Sequence, residues 1–468
     1  MSLLVAVGCR DVAPRSVSSV AGASGLSMPL EEALPVLGAL AHHLPPELGD
    51  VDRLNADQWR EWTTHTDAEI RARLDTGDED SVVNLLLYGT TFTRRPRATP
   101  GAMGGAPDER AIRDLMDGRL DDLINVVEAA GSDERMQFVR HVIERHGVAV
   151  SPSTRAPVRR YLESVRSRVF SENQRYVSRL AAAAATADDA ERRAAYATVY
   201  QDRGLSSDTS LRVNFAVEQA FRAMRDRREL TPQAIQRVGI VGPGLDFVDK
   251  AQGYDFYPVQ SLQPFAVADS LRRLALGQRT LVTAFDVSER VLTHLEHARE
   301  RASRGEPYVL NLVLEKQGAS SLLTQYWRDF GRDLSEPAPA TLIPSSLSAA
   351  IRARAVAVRS DVVLDVTPAP LDVVVERLPA KDRLDLIVAT NVLVYYEPLG
   401  QALAVRNIAT MLREGGLLFT NQPVPAPDAC GFRAIATVAV PFGDQVGAER
   451  DHARGDSIYV YRKAYERT

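Results

Sequence analysis

The sequence predicts an α/β protein: a doubly wound, mostly parallel sheet that closes with a C-terminal β-hairpin and follows an α-helical N-terminal domain. Three observations predict it. Residues 29–230 carry apolar side chains at three- and four-residue spacing, the period of amphipathic helices. At Thr231-Pro232 the character changes, with a Thr cap and Pro at the first helical position. From Arg237 onward, short apolar runs alternate with amphipathic segments, the order of a parallel sheet clad by helices.

The elements follow in chain order. Residues 1–28 read as a flexible tail, although "LLVAVGC" also resembles the clipped end of a lipoprotein signal finishing at Cys9. The helical domain spans 29–230, with "LEEALPVLGALAHHL", "RAIRDLMDGRLDDLINVVEAA" and "ERMQFVRHVIERHG" as its clearest helices. Thr90, Thr91, Arg94 and Arg95 interrupt it, either lining a substrate site or closing a helix into a surface loop. Residues 152–180 hold seven arginines, read as a solvated helix face. The sheet domain spans 231–468. Its strand candidates are "RVGIVG", "TLVTAFDV", "YVLNLVLEKQ", "RAVAV", "DVVLDV", "RLDLIVAT" and "LLFTNQ", then "FRAIATVAVPFG" and "SIYVYRK" as the hairpin. A Pro/Ser-rich stretch at about 315–350 reads as an insertion.

Composition excludes several classes of function. A net charge of -5 gives no general attraction to nucleic acid or anionic membrane. Two cysteines, with no C-x-x-C, build neither a disulfide framework nor a zinc site. His294 and His297 share a helix face but read as ordinary side chains, so no metal is expected. No apolar run is long enough to span a bilayer.

The chemistry concentrates in "RVGIVGPGLDFVDK", Arg237 to Lys250. A doubly wound sheet binds ligands at the carboxyl ends of its strands, near the switch in strand order. Gly242 and Gly244, in the turn after the first strand, allow a ligand to approach the backbone. Asp286 ends the second strand, where a carboxylate accepts from both hydroxyls of a ribose. Asp365, with Asp361 as the fallback, ends "VVLDV" and would accept from an adenine amino group. A dinucleotide loop wants G-x-G-x-x-G, and its last position is Phe247 here. No P-loop and no G-x-S-x-G is present.

Together these pieces resemble the Rossmann-like S-adenosylmethionine-dependent methyltransferases. "VGIVGPG" corresponds to their first motif, "LVTAFDVSERVL" to the second strand and its acid, "DLIVATNVLVYYEP" to the fourth motif, and "MLREGGLLFTNQ" to the Gly-Gly turn before the fifth strand. "TNVLVYY" is similar to the same stretch of the chemotaxis-receptor carboxyl methyltransferases. The resemblance covers residues 237–468. It implies that Gly242, Gly244 and Asp286 hold the methionine part and ribose of S-adenosylmethionine, and that Asn391, with Tyr395 and Tyr396, stands where acceptor meets methyl. The family's usual acid is replaced by Ile240 and its third glycine by Asp246, so Asp246 or Asp249 would supply an acid from another position.

The expected activity is therefore methyl transfer to an oxygen acceptor on a small molecule, with Asn391 orienting the acceptor. The fourth motif lacks the Asn-Pro-Pro-aromatic form common among amino-group methyltransferases. The alternative is a non-catalytic ligand-binding or scaffold protein on the same fold. Tyr254 and Tyr257, in a long loop before the next helix, either cover the ligand or pack against the helical domain. That domain is expected to roof a cleft lined by Gly242 and Asn391. An active enzyme belongs in the cytoplasm, where the cofactor is made; lipidation at Cys9 would instead imply export.

Overall fold

The computed structural model describes residues 25–98, 109–186, 195, 199–200, 203–206, 209, 211–248, 254–379, 383–443 and 455–465. Cys9, Asp249 and residues 1–24 of the expected tail lie outside them. The described residues open with a short strand β1 (Leu26–Ser27) and helices α1 (Leu30–Ala39), α2 (Ala56–Tyr88), α3 (Glu109–Glu128), α4 (Glu134–Arg145), α5 (Arg155–Ala185) and α6 (Leu211–Asp226). The sheet region contains β2 (Arg237–Val241), α7 (Gln263–Arg273), β3 (Leu281–Asp286) and α8 (Glu289–Ser303). Next come β4 (Tyr308–Glu315), α9 (Ser321–Asp329), β5 (Ser335–Ala338), β6 (Ile351–Val358), α10 (Ser360–Leu364), β7 (Val366–Pro370) and β8 (Glu376–Arg377). The last elements are β9 (Leu384–Ala389), α11 (Pro398–Met411), β10 (Leu412–Thr420), β11 (Phe432–Pro441) and β12 (Gly455–Lys463).

Seven strands form the main sheet in the order β7-β3-β2-β9-β10-β12-β11. The five strands from β7 to β10 are mutually parallel, and β12 runs antiparallel to both its neighbours. This is a mostly parallel, Rossmann-like α/β sheet. The chain winds outward from β2 to β7 and then returns to β9, so the switch in strand order falls between β2 and β9.

Alternation along the strands explains the two layers. Val238, Ile240, Val282, Ala284, Leu386, Val388, Leu417 and Phe419 face one core, shared with α6, α7 and α8. Val241, Phe285, Ile387, Ala389 and Leu418 face the other, shared with α1 and α11. Gly239 belongs to this second face, where a Cβ would meet Leu384, Phe285 and Ile387.

Elements before residue 230 pack directly on the sheet. Leu26 and Ser27 pair with Arg377 and Glu376, so the end of the expected tail is ordered against the sheet domain. Helix α1 covers one face of the sheet, and α6 covers the other, where Phe221 lies 5.1 Å from Phe419. Helix α2, with a capping box at Asn55, is 33 residues long, about 50 Å. It contributes Trp59 and Ile70 to one core and Val82 to Tyr88 to the other, so it crosses from one to the other. The arginines of α5 pair with acids of α2 and α3, including Arg168 with Asp80 and Arg159 with Asp121.

Two further expectations are corrected. "YVLNLVLEKQ" and "RAVAV" do not join the main sheet. They form β4 and β6, antiparallel from Tyr308↔Val358 to Glu315↔Ile351, with β5 on the far side of β6. The inserted unit thus spans 308–358 rather than about 315–350. "DVVLDV" is not a strand ending at Asp365 either. It is the short helix α10, and the strand begins at Val366, after Asp365. Strand β7 pairs on one side only, which lets it carry Pro368 and Pro370 without losing partners on an open edge.

Candidate functional site

The turn after β2 is shaped by its glycines. Gly242 and Gly244 both have φ +65°, a left-handed conformation that costs other residues roughly 1–2 kcal/mol. The Gly242 N–H donates to the Phe285 carbonyl at 2.8 Å, which ties the turn to β3. A Cβ on Gly242 would stand 2.5 Å from a methyl of Val392, so the loops after β2 and β9 approach closely.

Asp286 ends β3 beside this turn and is buried. Its carboxylate accepts the Ser288 N–H at 2.8 Å. Burial pushes its pKa up to about 6, while N–H groups of Ser288, Gly244 and Val287 hold it down. The acid and the glycine turn are therefore one hydrogen-bonded unit.

The loop after β9 supplies the facing wall. Thr390 is buried and accepts from Gln263 of α7 at 2.8 Å. Asn391 follows in the left-handed region at φ +59°. A short 3-10 turn, Leu393–Tyr395, then presents Tyr395, whose ring meets Tyr200 edge-on at 5.8 Å. Tyr396 is buried, which raises its pKa.

One pocket gathers these groups. Gly242, Gly244, Asp286 and Val287 line it from the first two strand ends, and Thr390, Asn391, Val392, Tyr395 and Tyr396 from the fourth motif. Gln263 joins from α7, and Leu74, Leu205, Ser206, Thr209 and Val213 from the region before the sheet. The pocket lies at the switch between β2 and β9, where a doubly wound sheet binds its ligand. Asn391 lines it but remains exposed at its mouth, so the roof over Asn391 is open among the described residues.

The roof is anchored on α2. Arg73 donates to the carbonyls of Arg203 (3.0 Å) and Tyr200 (3.3 Å), and the Leu205 N–H returns to the Arg73 carbonyl at 2.9 Å.

Of the residues singled out in the sequence, Gly242, Gly244, Asp286, Asn391 and Tyr395 meet here. Asp246 does not line the pocket: it is buried and accepts from Gln260 at 3.0 Å, and Gln260 in turn bonds both backbone groups of Asn311 on β4. Asp365 is at the opposite edge of the sheet. It precedes β7, its carbonyl accepts the Val282 N–H near the start of β3, and its carboxylate forms a fork with Arg279 at 2.7 and 2.9 Å. Asp361, on α10, pairs with Arg359.

A second buried acid, Asp372, follows the end of β7 but does not line the pocket. It is fully buried, and one carboxylate oxygen accepts the Val374 N–H at 2.9 Å. The other has no hydrogen-bond partner among the described residues. Burial pushes its pKa up to about 7. The Leu371 N–H beside it donates to the Asp286 carbonyl at 3.1 Å, so the two acids mark adjacent strand ends.

Thr90 and Thr91 are not at the pocket; their N–H and hydroxyl groups all donate to the buried carboxylate of Asp255. Tyr254 and Tyr257 cluster with Leu347 and Ile351 of the inserted unit. His294 bonds Tyr308 at 2.9 Å, and the described residues contain no cluster suited to a metal ion.

The donor set fits a nucleoside ligand without a pyrophosphate. An ionisable carboxylate at a strand end suits a diol, and glycines keep the adjoining turn low.

No protein-family model and no curated protein matches the chain. Solved structures similar to it include the N-methyltransferase NodS of Bradyrhizobium japonicum WM9, at 13% identity over 53% of this chain and 98% of that one, with a TM-score of 0.25. The glycopeptide N-methyltransferase MtfA is 13% identical over 55% and 97%, with a TM-score of 0.26. A mutant of MtNAS in complex with S-adenosylmethionine is 9% identical over 78% and 96%, with a TM-score of 0.24. The fold rests on the strand order and registers of the sheet.

Proposed function

We propose that the chain is an S-adenosylmethionine-dependent methyltransferase acting on an oxygen atom of a small molecule. The observation that carries the reading is the meeting of Asp286, the left-handed glycine turn and Asn391 in one pocket at the strand switch. When bound, S-adenosylmethionine supplies an electrophilic methyl group. Asp286 accepts hydrogen bonds from the ribose, and Gly242 and Gly244 leave room for the methionine part. Asn391 and Tyr395 orient the acceptor, and the segment around Leu205 limits its size and excludes water.

No helix among the described residues is long and apolar enough to cross a membrane. The reading places the active protein in the cytoplasm, where its cofactor is made.

Calorimetry with S-adenosylmethionine and S-adenosylhomocysteine tests the proposal. Micromolar binding of both is expected; binding of neither sinks it. Tight binding with no methyl transfer to any acceptor in a metabolite extract would favour a ligand-binding or scaffold role.

A further inference from the structure

Asn421, the residue after β10, answers Asn391 twice. Its side-chain carbonyl accepts the Asn391 backbone N–H at 2.8 Å, and its amide nitrogen donates to the Asn391 side-chain carbonyl at 2.6 Å. The first bond supports Asn391 in its left-handed conformation. The second sets the direction in which the Asn391 carboxamide faces.

Asn421 is itself oriented by groups that allow no choice. The backbone N–H of Asn391 can only donate, so it requires the Asn421 oxygen. The carboxylate of Asp456, 3.4 Å from the Asn421 amide nitrogen, accepts and so requires that nitrogen. Asp456 is held in turn by the Ser457 N–H at 2.8 Å. With its oxygen committed to Asn421, Asn391 keeps its amide nitrogen for a ligand. It is a donor.

A donor discriminates between acceptor atoms. An amine nitrogen has a single lone pair, and a hydrogen bond to that pair blocks its attack on a methyl group. An oxygen has a second lone pair, so one can be held while the other attacks. We propose that Asn421 is a positioning residue that makes Asn391 a hydrogen-bond donor and so selects oxygen over nitrogen acceptors. This inference rests on the methyltransferase reading.

The test uses the complex of the full chain with S-adenosylhomocysteine, probed by calorimetry at about pH 7 with phenol and aniline, which are neutral and alike in size. Phenol is expected to bind severalfold more tightly than aniline. In Asn421→Asp, both oxygens accept, so the Asn391 amide nitrogen is drawn away from the pocket and the preference should disappear; Asn421→Ala should also weaken it. Equal binding of the two probes, binding of neither, or a preference retained in Asn421→Asp overturns the inference while leaving cofactor binding intact. Failure of S-adenosylhomocysteine itself to bind removes the methyltransferase reading, and the inference with it. The wild-type comparison needs no variant, so a misfolded mutant does not rescue the idea.

Discussion

A Cβ on Gly77 would stand 1.7 Å from the carbonyl oxygen of Leu205, so helix α2 and the segment that carries the pocket roof touch backbone to backbone. Gly204 also approaches Gly77, with a Cβ position 2.4 Å from its nitrogen. In an exposed helix, Gly to Ala would gain about 1 kcal/mol. Here the added methyl has nowhere to go, and overpacking costs about 1–3 kcal/mol. The second effect should win. Gly77→Ala is expected to lower thermal stability, and a stabilised variant would show that the roof is not seated on α2.

Cofactor binding should depend on Asp286 and on its ionisation. Losing charge-assisted bonds of ~1.5–3 kcal/mol each weakens binding at least tenfold. Asp286→Ala should show this in calorimetry with S-adenosylmethionine. With a pKa near 6, the wild-type carboxylate protonates as pH falls through that value, so affinity should drop below pH 6. A pH-independent affinity between pH 5 and 7.5 would separate Asp286 from the ligand.

The glycine turn and Asp286 were legible because their signals are local: glycines after an apolar run, and an acid at the end of the next. Asp365 was misplaced because Pro368 and Pro370 disguise an edge strand, which moved the expected strand end one element too early. The β4–β6 pairing escaped because an apolar run does not reveal its partner, and these two strands are separated by α9 and β5. Leu74, Leu205 and Val213 reach the pocket from distant parts of the chain, and no spacing in the sequence reports that meeting. Asn391 lines the pocket, but its exposure depends on how far the roof extends.

Arg135 of α4 connects the helical region to the loop that continues the glycine turn. It is buried and donates to the carbonyls of Phe247 at 2.8 Å and Tyr257 at 2.7 Å, with its guanidinium 5.7 Å from the Phe247 ring. Lysine has no fork with which to reach both carbonyls. Arg135→Lys should therefore lower thermal stability and weaken S-adenosylmethionine binding severalfold, although Arg135 does not line the pocket. Unchanged affinity in a destabilised variant would confine Arg135 to a purely structural role.

The last prediction sets stability against binding at Asp372. Its pKa is pushed up to about 7 from an ordinary 3.8, so between about pH 4 and 7 the folded state holds a proton that the unfolded state has lost. Stability then falls as pH rises through this window and levels off above it. Asp286, pushed up to about 6, acts in the same direction over a narrower range. Asp372→Asn removes the larger share. The buried amide keeps the shape but carries no charge, so ligand-free thermal stability should rise above pH 7 and depend less on pH. Against this, an amide nitrogen without an acceptor costs ~1–3 kcal/mol, which limits the gain. Asp372 does not line the pocket, so affinity for S-adenosylmethionine should stay close to that of the wild type. Thermal scans from pH 5 to 8 together with calorimetry decide the matter. A variant that no longer binds the cofactor would bring Asp372 into the site, and one whose stability keeps the wild-type slope would show that another group carries the pH dependence.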